Sequence, residues 1–131
     1  MAHPNEQRLR DGYAAFQRGD MEALRKEFFA PDIVWHASGR SPISGTFKGS
    51  DEVLATFAKS FELSGGTLQV EIHDCLANDE HAVVLGRVRA ERPDGRRYED
   101  VYTHVVHVEG GQIMESWITT NDQHASDEFW S

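Results

Sequence analysis

Residues 97–120, RYEDVYTHVVHVEGGQIMESWITT, hold two strand-forming arms joined across Glu109-Gly110-Gly111, and the pairing of those arms decides which side chains meet. The even positions of the first arm are Tyr98, Asp100, Tyr102, His104, Val106 and Val108; the odd ones are Arg97, Glu99, Val101, Thr103, Val105 and His107. Neither set is cleanly apolar, so alternation alone does not choose the buried face. A three-residue loop with Gly111 in the left-handed conformation pairs Val108 with Gln112, which puts His104 opposite Ser116 and Tyr102 opposite Ile118. A two-residue Gly110-Gly111 turn competes; it shifts the register by one and brings Trp117 round to the His104 side. The bulged loop is the preferred reading.

A chain of 131 residues is long enough to bury about two thirds of its unfolded surface, and it is read as one domain with residues 121–131 as a tail. No apolar run approaches the length of a membrane span, and MAHPNEQRLR at the start lacks the hydrophobic region of a signal peptide, so a cytoplasmic location is expected. The single cysteine, Cys75, excludes an internal disulfide. A net charge of -9 argues against nucleic acid or an anionic membrane as partner, because both require basic surface. Small molecules and other protein chains remain.

Leu9, Tyr13 and Phe16 recur at helical spacing before Gly19, and Asp20 can cap a second helix carrying Met21, Leu24 and Phe28. Pro31-Asp32 ends that helical hairpin, and residues 33–37 form a short strand. Residues 39–49 read as a loop or a very short second strand. Ser50 can cap a third helix, in which Val53, Leu54, Phe57, Ala58 and Phe61 make one apolar stripe before Gly65-Gly66. From Thr67 onward every segment is strand-like.

Charges set the registers of the remaining strands. With residues 78–80 as a loop, Glu71 lies across from Arg87 and Gln69 from Arg89; with Asp94 centring the next turn, Arg89 faces Glu99 and Glu91 faces Arg97. The opposite face then collects Val70, Ile72, Asp74, Val84, Gly86, Val88, Asp100, Tyr102, His104, Ser116, Ile118 and Thr120 and lines a concavity. The outer face alternates charges with Val83, Leu85, Val101, Val105, Ile113 and Trp117. It is too apolar for full exposure, so a homodimer packed through the outer sheet face is expected. Three helices and a four-stranded antiparallel meander give an α+β fold.

The order of elements, together with GDMEALRKEFFAPDIVWHASG, ISGTFKG and VVHVEGGQIMESW, resembles the SnoaL-like and ketosteroid-isomerase-like branch of the NTF2-like, cystatin-like superfamily over residues 6–122. The resemblance implies a cone with three N-terminal helices packed on a strongly bent antiparallel sheet around a small, mostly apolar pocket. It also implies an enzyme acting by general acid/base chemistry, of isomerase, cyclase, dehydratase or epoxide-hydrolase type, or a non-catalytic binder of an apolar metabolite. His36 falls where ketosteroid isomerases place their aspartate base, and His104 where they hold a protonated aspartate. The isomerases' oxyanion tyrosine maps onto Gly12, one residue before Tyr13, and the cyclases' aspartate after the tryptophan is Ile118, so neither mechanism transfers whole.

The expected catalytic pair is therefore His36 as base and His104 as donor or partner, since a neutral imidazole can take a proton from carbon beside a carbonyl. Tyr13, Phe57, Asp100, Tyr102, Ser116, Ile118, Thr120 and Asp122 are the expected substrate contacts. Tyr13 and Tyr102 serve as aromatic walls rather than acids, and Asp122 stands at the pocket mouth or at a solvated strand end. His36, His104 and Asp122 lack the HxH or HxxxH spacing of a metal site, so no metal or other cofactor is expected. Cys75 reads as a packing residue of the outer face, and Arg87, Arg89, Arg92, Arg96 and Arg97 as a solvated face paired with cross-strand acids. Phe129 and Trp130 are large enough that the tail must dock.

Overall fold

The computed structural model describes residues 3–131. Helix α1 (Pro4–Gln17) opens on a proline, whose missing N–H is no loss in a first turn, and the ring of His3 caps it by accepting from the Asn5 N–H at 3.1 Å. Leu9, Gly12 and Ala15 form its buried face. Gly19, at φ 73°, turns the chain, and Asp20 caps α2 (Met21–Ala23), which widens into a π-helical turn over Leu24–Phe28.

The next strand, β1 (Phe29–Ala37), starts earlier than expected. Pro31-Asp32 does not separate helix from strand; it falls where the ladder to β6 is interrupted, between Phe29 and Val34, so the missing proline N–H deprives no partner. The segment read as a loop or very short strand contains β2 (Gly45–Lys48), paired antiparallel to β1. Helix α3 (Ser50–Leu63) buries Val53, Leu54, Phe57 and Ser60. Its capping position is Gly49, at φ 87°, and not Ser50.

The meander β3 (Gln69–Ala77), β4 (His81–Glu91), β5 (Arg97–Glu109) and β6 (Gln112–Thr120) forms as expected, but it is four strands of six. The sheet order is β2-β1-β6-β5-β4-β3. β1 runs parallel to β6, so the sheet is mixed rather than wholly antiparallel. The tail is helix α4 (Gln123–Trp130), with Asp122 as its cap. Among the described residues, no helix is long and apolar enough to cross a membrane.

Charge pairing fixed two registers. Glu71 meets Arg87, Gln69 meets Arg89, Arg89 meets Glu99 and Glu91 meets Arg97. The β5–β6 turn is the two-residue alternative, Gly110-Gly111 with both φ positive and Glu109 opposite Gln112. A bulge at Met114 then pairs Val108 with Ile113 but His107 with Glu115. That extra residue restores parity, so His104, Ser116 and Ile118 still share the inner face while Trp117 stays outside. Ile113, ahead of the bulge, is buried inside, not outside. A second bulge at His73 acts likewise on β3: Cys75 moves onto the inner face opposite Val84, 3% exposed, and Asp74 is turned out.

Two apolar clusters result. The larger joins Leu9, Leu24, Phe29, Trp35 and Phe57 to Val84, Val106 and Ile113; the smaller gathers Leu68, Ala90 and Tyr98 around Phe129 and Trp130. Arg92 and Arg96 hold α4 against the sheet. Arg92 donates to the Phe129 carbonyl at 2.8 Å and Arg96 to the Glu128 carbonyl at 2.9 Å, where a helix end lacks intrahelical donors. These two guanidiniums are thus a helix clamp; in contrast, Arg97 pairs with Glu91 as a surface ion pair.

Candidate functional site

Helices α1, α3 and α4, the β1–β2 connection and the inner face of the sheet line a partly open cavity of about 190 Å³. Its wall is predominantly apolar, with Leu9, Phe16, Phe29, Trp35, Phe57 and Ile118 among the contributors. An apolar space of this size is comparable to one able to hold a single aromatic ring, at about 150 Å³.

A connected polar array interrupts that wall, beside separate hydroxyls such as Ser60 and Thr120. His104, on β5 and 3% exposed, has Nδ1 at 2.8 Å from the Tyr13 hydroxyl and Nε2 at 2.5 Å from the hydroxyl of Ser116, itself 0% exposed. The Tyr102 hydroxyl lies 3.0 Å from that of Tyr13. Three elements therefore meet: α1 supplies Tyr13, β5 supplies His104 and Tyr102, and β6 supplies Ser116. The Trp35 ring stands 5.1 Å from the imidazole between centroids and closes the array on its apolar side.

Space for the array comes from a glycine. Gly86 of β4 pairs with Tyr102, and a Cβ there would lie 2.3 Å from the tyrosine Cζ. The Tyr102 ring lies over that missing side chain, which brings its hydroxyl to Tyr13.

Burial sets the protonation states. It pushes the His104 imidazole down to about 3, because the charged ring would lose its hydration. It holds Tyr13 well above the ordinary phenol range, reinforced by Tyr102 beside it, and pushes Tyr102 up to about 12. Around neutrality the array is uncharged.

Of the expected contacts, Tyr13, Phe57, Tyr102, Ile118 and Thr120 line the cavity together with His104. Ser116 lies behind His104 and reaches the cavity only through it. Asp100 and Asp122 do not line it. Asp100 accepts from the Tyr98 hydroxyl and from the Asp122 N–H, both at 2.9 Å, and Asp122 caps α4.

His36 requires the largest correction. It lies on the outer face of the sheet, where Nε2 meets Glu115 at 2.6 Å, Nδ1 meets Thr46 at 3.1 Å, and the ring stacks on Trp117. Facing away from the cavity, it is no partner of His104. The inward residue of this strand is Trp35, with Ile33. The alternation Ile33, Trp35, Ala37 carried that signal, since the apolar set of a half-buried strand faces the core. Trp130 and Ser126, which line the cavity from α4, carry no such mark, because an eight-residue helix is too short for a periodic pattern to stand out.

No side-chain carboxylate is among the cavity's lining residues, and the described residues contain no group of three or more His, Cys, Asp or Glu placed to hold a metal ion.

A curved mixed sheet with helices packed on its concave face, closed round such a cavity, is the NTF2-like, cystatin-like fold. Within that class the chain belongs to the SnoaL-like domain family, which matches residues 9–116. Uncharacterized protein Rv0034 of Mycobacterium tuberculosis is 32% identical over 124 residues, covering 94% of this chain and 93% of that one. Among solved structures, Bal32a from a soil-derived mobile gene cassette superimposes with a TM-score of 0.91 at 34% identity, over 97% of this chain and 96% of that one. A protein with a cystatin-like fold from Xanthomonas campestris gives a TM-score of 0.87 at 25% identity, over 95% and 96% of the two chains.

Proposed function

We propose that the protein is a small-molecule enzyme that performs general acid/base chemistry on a small hydrophobic carbonyl or ring substrate held in this cavity. The observation that carries the reading is the buried, doubly hydrogen-bonded imidazole of His104 in a predominantly apolar wall. Tyr102 donates to Tyr13, and the Tyr13 hydroxyl reaches His104 Nδ1, so a proton taken up at the Tyr102 oxygen can pass through Tyr13 to the neutral imidazole. Its low basicity when the cavity is empty reflects burial without a counter-charge. As the substrate loses a carbon-bound proton through Tyr102 and Tyr13 to Nδ1, the enolate left in the cavity supplies that charge and raises the basicity of the ring. Enolisation, isomerisation and elimination are within reach of such an array.

A second reading, a non-catalytic binder of an apolar metabolite, is favoured by the absence of any lining carboxylate and by hydroxyls such as Ser60 and Thr120 that already donate within the protein. His104→Gln distinguishes them. Assayed against cyclic ketones, epoxides and β-hydroxy ketones, the enzyme loses turnover by at least about 100-fold with affinity largely kept; a binder shows no turnover to lose and changes only in affinity.

The protein acts as a homodimer joined through the outer sheet face. Leu76, Leu85, Val101 and Trp117 stand exposed there, Val101 at 50%, as an apolar surface left for a second copy to cover.

A further inference from the structure

Several hydroxyls around the cavity keep their hydrogens for the protein. Ser60 donates to the Phe57 carbonyl, Thr56 to the Glu52 carbonyl, Ser44 to the Ser38 carbonyl and Tyr98 to the Asp100 carboxylate, acceptors that cannot donate in return, and Tyr102 donates to Tyr13. Each offers a ligand lone pairs, and offers it a hydrogen only by breaking a bond already made. The indole of Trp35 differs. Its N–H finds no acceptor among the described residues, yet no wholly buried side-chain nitrogen or oxygen there is left without a partner. The N–H is therefore open to space. For a residue 6% exposed on the inner face of β1, flanked by β2 and β6, that space is the cavity it lines.

We propose that the Trp35 indole N–H donates to a carbonyl oxygen of the ligand held in this cavity. The inference rests on the reading of the cavity as a ligand site, and it supplies the donor to substrate oxygen that the His104 array lacks. An indole nitrogen donates and does not accept, so the ligand atom it meets must carry a lone pair. The ring is fixed before a ligand arrives: it packs edge-on against Phe57 at 4.9 Å between centroids, tilted against Phe29 at 6.0 Å, and stands 5.1 Å from the His104 imidazole. Its backbone is held on both sides, by Phe47 of β2 and by Ser116 of β6, the residue that lies under His104. A carbonyl oxygen held there gathers negative charge when a carbon-bound proton leaves through Tyr102 and Tyr13 to Nδ1. The bond from Trp35 then becomes charge-assisted, roughly twice as strong as its neutral form, without any transfer of the indole proton. Trp130, the other lining indole, belongs to the smaller cluster with Leu68, Tyr98 and Phe129 and not to the array. The ligand class is a compound of about one ring bearing a carbonyl.

The test uses the whole protein labelled with 15N tryptophan and two matched probes, cyclohexanone and methylenecyclohexane, which differ only in =O against =CH2. The signals of the three indoles are assigned with Trp35→Phe, Trp117→Phe and Trp130→Phe. The expected result is that both probes bind and that cyclohexanone alone moves the Trp35 indole proton downfield, the direction of a new hydrogen bond. The preference for ketone over alkene, read as the ratio of their dissociation constants, then falls about five-fold in Trp35→Phe. Packing lost with the smaller ring weakens both probes and cancels in that ratio. If both bind and the ketone leaves the Trp35 proton where the alkene does, the donor role is overturned while the cavity remains a ligand site. A downfield shift at Trp130 in place of Trp35, or an unchanged ratio in folded Trp35→Phe, also overturns it. Should that variant not fold, the wild-type shift decides alone. If neither probe binds, the ligand site is refuted and the donor with it.

Discussion

At the residue scale, His104 makes a prediction about stability and pH. Its folded-state value of about 3 lies below the ordinary histidine value near 6.5, so between those limits the unfolded chain binds more protons than the folded one. Its contribution is present above pH of about 6.5 and is lost progressively as pH falls toward about 3. The midpoint of thermal unfolding of the wild type is therefore expected to fall more steeply between about pH 6.5 and 4 than that of His104→Gln. Carboxylates titrate in both proteins and cancel in the difference. Parallel curves would show that the ring is hydrated. His104 was legible as a pocket residue because it shares a strand face with Tyr102 and the sequence paired that face with Ser116 and Ile118. The alternation of Ile33 and Trp35 turns His36 outward, against the pocket position that the family resemblance implies for it.

At the element scale, α4 closes the cavity with Ser126 and Trp130 and depends on a few polar contacts at its ends. Asp122 satisfies the Ala125 N–H, and Arg92 and Arg96 satisfy carbonyls at the other end. Asp122→Ala is expected to destabilise the protein by about 1 kcal/mol through the lost cap. Arg92→Ala leaves the last turn of α4 to fray. Hydrogen exchange should show faster exchange in α4 in both variants, with β4 and β5 unchanged; uniform acceleration across the sheet would show instead that α4 and the sheet open as one unit. Phe129 and Trp130 marked this segment as one that docks. Its helical form was hidden because eight residues are too few for a periodic pattern to stand out, and because its clamp arginines lie far off in the chain.

At the scale of the molecule, the outer face of the sheet predicts association. Leu85, Val101 and Trp117 lie on neighbouring strands of one surface, with His36 stacked on Trp117 beside them. Trp117→Arg is expected to convert a dimer to a folded monomer, with the mass read by sedimentation equilibrium and the fold by circular dichroism. A wild-type protein that sediments as a monomer would remove the proposal, and a variant that stays dimeric would place the interface elsewhere.

The sequence by itself determined the class of fold, the helical segments ahead of the meander, the register of β4 with β5 and that of β3 with β4 as far as Ile72, because local periodicity and facing charges act between near neighbours in the chain. It also put Tyr13, Tyr102 and His104 on the cavity side. The tertiary structure alone decided the bulges at His73 and Met114, each a single unpaired residue that no residue type announces. One of them carried Cys75 into the core; the other kept Ser116 under His104 after a turn one residue shorter than expected. The parallel pairing of β1 with β6 was likewise decided at that level, since it joins segments some eighty residues apart. That pairing seats Trp35 on the inner face and puts His36 beside Glu115 and Trp117 on the outer one, where Nε2 meets the Glu115 carboxylate.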